Sequence, residues 1–190
     1  MSTMREQIID TTSTLLEAQG YHATGLNQIL AESGAPKGSL YYYFPQGKEE
    51  LTAAAVEQSG KITAERIRAG LATFEDATEA IQSFVHTIAY HVEASGFSSG
   101  GPLMIVAMET VNSSERLNNA CREAYGLLLD AFQEKLVMNG QTEARATQLA
   151  TFIISAIEGG TILSRVHHSG NPLRQVAEEI GLFLQSVCKG

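Results

Sequence analysis

The residues of this chain best suited to chemistry on a partner lie between positions 33 and 51, SGAPKGSLYYYFPQGKEEL. Tyr41, Tyr42 and Tyr43 stand in a row between Leu40 and Phe44, with Lys37 and Lys48 on either side. Phenols and ammoniums donate hydrogen bonds to phosphate oxygens, and the hydroxyl of Ser39 can donate to or accept from a base edge. Successive helical residues turn by about 100°, so with Leu40 at zero Phe44 falls at about 40°, Tyr41 at about 100°, Gly38 at about 160°, Tyr42 at about 200°, Ser39 at about 260° and Tyr43 at about 300°. One face therefore presents Gly38, Ser39 and Tyr42, while Leu40 and Phe44 share the opposite, inner face. Gly38 holds no side chain between the helix and another surface, and an α-helix fits the major groove of B-form DNA. The competing reading has the tyrosines packing at the edge of a small core. It suits Tyr41 best and Tyr42 worst, because Tyr42 is on the wrong face.

The other reactive side chains form no catalytic pattern. His86 and His91 are five residues apart, which turns them off a common helix face, and the adjacent His167 and His168 point apart. No HExxH, GxSxG, P-loop or GxGxxG stands in a suitable context. Glu109 and Glu158 are lone helix carboxylates. Cys121 and Cys188 are distant, without a CxxC, and read as structural thiols of a reducing compartment. No enzymatic activity, metal or cofactor is expected. The net charge of −8 argues against a protein that coats nucleic acid at random, and residues 1–50 carry three basic groups against six acidic ones, net −3. Two of those three cations, Lys37 and Lys48, flank the tyrosine run.

The elements that must position this face are helical. Apolar residues recur at helical spacing along the whole chain of 190 residues, with no strand-like alternation, and 44% hydrophobic content supports a sizeable core. The expected fold is all-α. A first helix is predicted from Thr3 to Gln19 with Gly20 as its stop, and Thr24 as the N-cap of a short second helix carrying Leu26, Ile29 and Leu30. Gly34 suits the left-handed residue that ends it, and Pro36 the first turn of helix three. Pro45 pushes Phe44 out of helical geometry and closes helix three. Two short helices joined by such a turn make a helix-turn-helix. The hydroxyl of Thr24 and the free N–H groups opening helix two offer one more phosphate contact.

From about residue 48 the pattern is a longer bundle, with helices over about 48–70, 76–94, PLMIVAMET, 115–138 (capped by Ser114), 143–168 (capped by Thr142) and a last one starting at 170–172. The segment SGFSSGG, 95–101, is a mobile connection within it. The last helix has a regular apolar stripe, and the one before is apolar on more than one face, so it must bury more than one face. It serves either as core within one chain or, with the last helix, as a dimer interface formed by Phe152, Ile153, Ala156, Gly160, Val176, Ile180, Phe183 and Leu184. A small-molecule pocket, apolar with a few polar handles, is expected from Phe84, Ile88, Phe97, Met104, Met108, Tyr125, Leu128, Phe132 and Phe152, with His91 or Glu158 as polar partners. Ordinary core packing is the alternative for each of these residues. No run of about 18 apolar residues and no signal-peptide core is present, so a cytoplasmic protein without a membrane partner is expected.

The stretch ATGLNQILAESGAPKGSLYYYFPQGKEEL resembles the DNA-binding region of TetR-family transcriptional regulators. The matching parts are Thr24 opening helix two, the GxxKGxxY of Gly34 to Tyr41, the aromatic ending Leu40 to Phe44, and Lys48 to Leu51 opening helix four. Within the family the wording looks closest to the LmrA/YxaF-like subgroup. The resemblance implies a homodimer with a helix-turn-helix DNA-binding domain over 1–50 and a helical ligand-binding and dimerisation domain over 51–190. It also implies a repressor of a palindromic double-stranded DNA operator, released by a small hydrophobic or aromatic effector. Carried over by position, Lys37, Tyr41 and Tyr43 would contact phosphates, Ser39 and Tyr42 would face bases or the nearby backbone, and Lys48 would meet phosphate. Tyr43 stands where a histidine is common, and PQGKEEL is one residue longer than the usual turn. Helix four would relay effector binding by tilting. A helical adaptor that binds only protein is the alternative; it leaves the Gly38–Ser39–Tyr42 face without a purpose.

Overall fold

The computed structural model describes residues 3–98 and 100–188. Ser99, in the predicted connection, and the side chain of Cys188 lie outside the described residues. The described residues form nine helices, α1 (Met4–Ala23), α2 (Leu26–Ser33), α3 (Lys37–Tyr43), α4 (Lys48–Leu71), α5 (Ala77–Ala94), α6 (Pro102–Thr110), α7 (Glu115–Met138), α8 (Glu143–His167) and α9 (Asn171–Cys188), and no strand. They fall into two compact units, one of Met1–Lys61 with Gly100–Tyr125, the other of Ile62–Ser99 with Gly126–Gly190.

In the first unit α1 packs against α2, α3 and α6. It opens with a reciprocal cap: the Glu6 N–H donates to the Thr3 hydroxyl at 3.2 Å, and the Thr3 N–H donates to the Glu6 carboxylate at 2.7 Å. Ile8, Ile9 and Leu16 then line up with Ile29, Leu40, Phe44 and Leu51 as the fully buried core. Gly20 does interrupt the helix, at φ 80 and ψ 177, but one more turn follows it, so α1 reaches Ala23 rather than ending at Gln19. That backbone conformation favours glycine, and a Cβ would sit 2.3 Å from Oε1 of Glu109 in α6, so the Glu109 side chain would have to shift.

The kink corrects the reading of Thr24. The N-cap of α2 is Gly25, without a side-chain cap. Thr24 instead terminates α1; its hydroxyl is buried and donates to the Gly20 carbonyl at 2.7 Å. A carbonyl released from the helix ladder inside a core must find a donor, and Thr24 supplies it. Downstream, Gly34 takes the left-handed conformation (φ 66), Pro36 is the N-cap of α3, and Phe44 leaves helical geometry at φ −133, ψ 69. Ser114 caps α7 by accepting the Leu117 N–H at 3.1 Å. Helices α4 and α7 cross closely at Gly60, where a Cβ would lie 2.6 Å from that of Ala124.

In the second unit α5 packs on α8 and α9, which pack on each other. Ile81, Val85, Ala89 and Val92 of α5 are buried, as are Leu149, Ala150 and Ile153 of α8, and Leu173, Ala177, Ile180 and Leu184 of α9. Gly160 lets α9 approach, since a Cβ there would be 3.0 Å from Leu173 and 3.1 Å from Val176. Asp76 caps α5 through the Glu79 N–H, 2.9 Å, and Thr142 caps α8 through the Arg145 N–H, 3.3 Å.

Candidate DNA-binding interface

Helix α3 is held by its inner face and wet on its outer one. Leu40 and Phe44 are fully buried, whereas Tyr42 is 79% exposed and Tyr41 47% exposed. Lys37 and Gly38 are exposed, and Ser39 and Tyr43 half-buried. A Cβ on Gly38 would meet nothing within 4 Å, so the surface there is open to a partner. Tyr43 bridges the two environments: its ring lies 5.0 Å from that of Tyr42, edge to face, and 6.5 Å from that of Phe44. The aromatic row is thus a graded stack from core to solvent, which orients the Tyr42 hydroxyl through packing rather than through a hydrogen bond.

Cations surround this helix in ways that sequence spacing did not show. The Arg5 guanidinium lies 5.4 Å from the centre of the Phe44 ring. The Lys48 ammonium sits 4.2 Å from the centre of the Tyr21 ring. Burial there lowers its pKa, and the nearby Glu109 carboxylate partly opposes that. Burial raises the Tyr21 phenol, with Glu49 adding to the effect. Lys48 therefore rests on the Tyr21 ring. Glu109 also accepts the His22 N–H at 2.9 Å, tying α6 to the end of α1.

The long turn between α3 and α4 is closed from several sides. Gly47 adopts φ 75 and donates to the Phe44 carbonyl at 2.9 Å, and the Gln46 N–H donates to Glu50 at 2.9 Å. Arg116 of α7 donates to the Gln46 side-chain carbonyl, and Ser114 donates to the Glu49 carboxylate. Both acidic residues opening α4 thereby accept hydrogen bonds from the protein's own donors. Arg116 lies 70 positions from its partner, and no local motif signals it.

The residues predicted for a small-molecule pocket fall in both compact units. In the second unit Phe84 and Phe132 pair edge to face at 5.9 Å; Phe132 and Leu128 are buried, and Phe84, Ile88 and Glu158 half-buried. His91 is exposed beside Tyr90, ring centres 5.7 Å apart. Phe97 stacks on His168 at 5.3 Å. In the first unit Met104 and Tyr125 are half-buried, while Met108 is 77% exposed. Open grooves of about 300 Å³ along Asp130–Glu143 and about 470 Å³ along Val111–Arg122 contain none of these residues. Phe132→Ala is expected to cost about 3–5 kcal/mol of stability, the range for emptying a buried aromatic site. Urea denaturation measures it; a loss below 1 kcal/mol, on the order of a surface substitution, would mean the site is looser than its burial implies.

The predicted dimer face needs correction. Ile153, Gly160, Ile180 and Leu184 are buried within the single chain, because they form the contact of α8 with α9 and α5. They are not available to a second chain. Ala156 and Val176 are half-buried. Phe152 and Phe183 are exposed, with their rings 5.0 Å apart, and Ile162, Leu163, Val166 and Leu182 are exposed as well. Phe152 thus lies on an outer surface rather than in an internal pocket. By length and composition α8 could also cross a membrane, the one such helix among the described residues.

Among the described residues no cluster of three or more histidine, cysteine or acidic residues is placed to hold a metal ion. The buried Cys121 thiol has its pKa pushed up to about 11 by desolvation, so it remains protonated and unreactive at neutral pH.

Comparison with known proteins agrees with this geometry. Residues 8–55 match the model of the tetR family of bacterial regulatory proteins, and residues 77–179 match the LmrA/YxaF-like transcriptional regulator C-terminal domain. The HTH-type transcriptional regulator YxaF of Bacillus subtilis is 44% identical over 181 residues, 95% of each chain. The HTH-type transcriptional regulator LmrA of the same organism is 39% identical over 173 residues, 91% of this chain and 92% of that one. Among solved structures, a regulatory protein TetR from Rhodobacter sphaeroides superposes with a TM-score of 0.82 at 18% identity, covering 95% of this chain and 98% of that one. The reduced form of Escherichia coli NemR superposes with a TM-score of 0.80 at 20% identity, covering 94% and 96%. These two likenesses establish a shared fold. The exposed helix-turn-helix face and both family matches together identify the chain as a transcriptional regulator of the TetR family with an LmrA/YxaF-like C-terminal domain.

Proposed function

We propose that this regulator is a repressor that binds a palindromic operator as a homodimer and is released by a small hydrophobic or aromatic effector. Residues 1–50 would read DNA and residues 51–190 would dimerise and bind the effector. The observation that carries the proposal is the wet Gly38–Ser39–Tyr42 face on a helix whose other side is locked by Leu40 and Phe44. Ser39 and Tyr42 would meet base edges or adjacent sugars, and Lys37, Tyr41 and Tyr43 the phosphates. Thr24 is left out of this contact set, since its hydroxyl already bonds Gly20. The free N–H groups at the start of α2 remain a phosphate site in its place. Two copies of α3 would enter major grooves about 34–36 Å apart, or a multiple of that, which makes the operator two-fold symmetric.

Selection of bound sequences from random duplex DNA tests the proposal. A palindrome with half-sites one or more turns apart is the expected result; enrichment of an asymmetric site, or of nothing, would overturn it. With the selected duplex, log affinity should fall linearly with log salt, and Lys37→Ala should make the slope shallower by about 1 per protomer. An unchanged slope would remove Lys37 from the phosphate contacts.

A further inference from the structure

Residues 1–50 hold three cations, Arg5, Lys37 and Lys48, among six carboxylates. The family resemblance gives Lys37 and Lys48 to DNA and leaves Arg5 without a role; the matched residues 8–55 begin after it. The contacts treat the three differently. Lys48 lies on the Tyr21 ring, 4.2 Å from its centre, with the Glu109 carboxylate acting on it. Arg5 is exposed, and among the described residues no carboxylate pairs with it and no acceptor takes its N–H groups. The acids nearest to it in the chain are engaged elsewhere: Glu6 accepts the Thr3 N–H at 2.7 Å, and Asp10 accepts from Gln58 at 2.7 Å.

The Arg5 guanidinium is nevertheless held in place. It sits 5.4 Å from the centre of the Phe44 ring, and Phe44 is the residue that closes α3. Phe44 is 1% exposed, so the ring beneath the cation is fixed by the core. An aromatic face attracts a cation by about 0.5–1 kcal/mol at an exposed site and does not neutralise it. A carboxylate partner would take up the N–H donors; the ring leaves all five for another acceptor. That planar fork matches two oxygens of one phosphate. A long side chain already held in position also loses less entropy when it makes the contact.

The location suits the DNA-reading assignment. Lys37 is the first residue of α3 and is exposed, and the Arg5 head lies beside Phe44, just past the last one. Seven helical residues span about 10 Å. The major groove of B-form DNA is about 12 Å wide, with a row of phosphates along each bank. Cations at the two ends of a helix of this length can meet opposite banks while Ser39 and Tyr42 face the bases between them. Ring contacts join the Arg5 end to the reading face: Phe44 to Tyr43 at 6.5 Å, and Tyr43 to Tyr42 at 5.0 Å.

We infer that Arg5 is a DNA-backbone contact supplied by α1, its guanidinium set by Phe44 to bind a phosphate at the C-terminal end of the reading helix. The inference rests on the DNA-reading assignment above and adds to it a residue outside the helix-turn-helix. Phosphate contacts carry no sequence information. Arg5 therefore strengthens binding to every duplex alike, and discrimination stays with Ser39 and Tyr42.

Salt titrations of the full chain on the selected duplex and on a scrambled one test this. Arg5→Gln keeps a long polar side chain over Phe44 and removes the charge; Arg5→Lys keeps the charge. In Arg5→Gln the slope of log affinity against log salt should become shallower by about 1 per protomer. Between about 50 and 200 mM salt the natural protein should then lose about three- to fourfold more affinity per protomer than the variant. Arg5→Lys should keep the natural slope. The ratio of selected to scrambled affinity should stay within about twofold of the natural value in Arg5→Gln, whereas Tyr42→Ala lowers it. A slope unchanged by Arg5→Gln overturns the inference. So does a slope that Arg5→Lys fails to keep. Affinity that falls with the thermal midpoint at an unchanged slope would reduce Arg5 to a cover for Phe44. If the natural protein itself binds no duplex, the DNA-reading assignment fails and takes Arg5 with it; if the natural protein binds and only the Arg5 slopes disagree, Arg5 alone is refuted.

Discussion

Tyr42→Ala is expected to weaken binding to the selected operator by about 1–3 kcal/mol per recognition helix, roughly 5- to 150-fold for each half-site, if the phenol contributes as a base-edge contact does. The thermal midpoint should stay within about 1–2 °C of the natural protein, because substitutions on exposed surface away from caps and pairs change stability by about 0.5 kcal/mol or less. The physical basis is the division of α3. Leu40 and Phe44 hold the helix, so removing the 79%-exposed Tyr42 side chain takes nothing from the core. Its one ring contact is Tyr43 at 5.0 Å, an exposed edge-to-face pair. Competition titration by fluorescence anisotropy reads the affinity, and calorimetry reads the midpoint. Operator affinity equal to that of the natural protein would remove Tyr42 from the interface and with it the outer face of α3. A lowered midpoint with proportionate loss of affinity would instead make the aromatic row a packing element.

In the homodimer proposed above, charging the exposed side of α8 and α9 should yield monomers. Phe152→Glu with Phe183→Glu places a carboxylate on each of two aromatic rings that lie side by side on the surface. In one chain these groups stay solvated and cost little. Across a two-fold contact the same patch meets its own copy, so each carboxylate faces burial without a partner, at several kcal/mol. The double variant is expected to sediment as a folded monomer and to lose operator binding by about 100-fold or more, since a single half-site forfeits the second helix. Ile180→Glu is the contrasting substitution. Ile180 is 1% exposed within one chain, so a charge there should unfold the second unit rather than dissociate a dimer. A Phe152→Glu, Phe183→Glu protein that still sediments as a dimer would move the interface to another surface.

Much of this molecule could be read from residue order. The helix boundaries around Gly34, Pro36, Phe44, Thr142 and Asn171 depend on local backbone preferences, and those preferences prevailed. The outward direction of Tyr42 follows from a 3.6-residue turn applied to Leu40 and Phe44. Thr24 was misread because its cap signal competes with a need the sequence does not display: the carbonyl freed at the Gly20 kink. In α9, periodicity marked the whole stripe from Leu173 to Val187 as apolar. It could not divide Ile180 and Leu184, which face this chain, from Phe183, which faces outward.

Sequence alone determined the helical class, the helix-turn-helix, the family and the exposed face of α3, because each depends on spacing within about one turn of helix or one tight turn of chain. Tertiary structure decided the rest: the inward Thr24, Lys48 resting on Tyr21, Arg116 closing the α3–α4 turn, and which apolar residues of α8 and α9 are buried within the chain. These are contacts between residues tens of positions apart. Their partners are chosen by how helices pack in three dimensions, and no local preference encodes that choice.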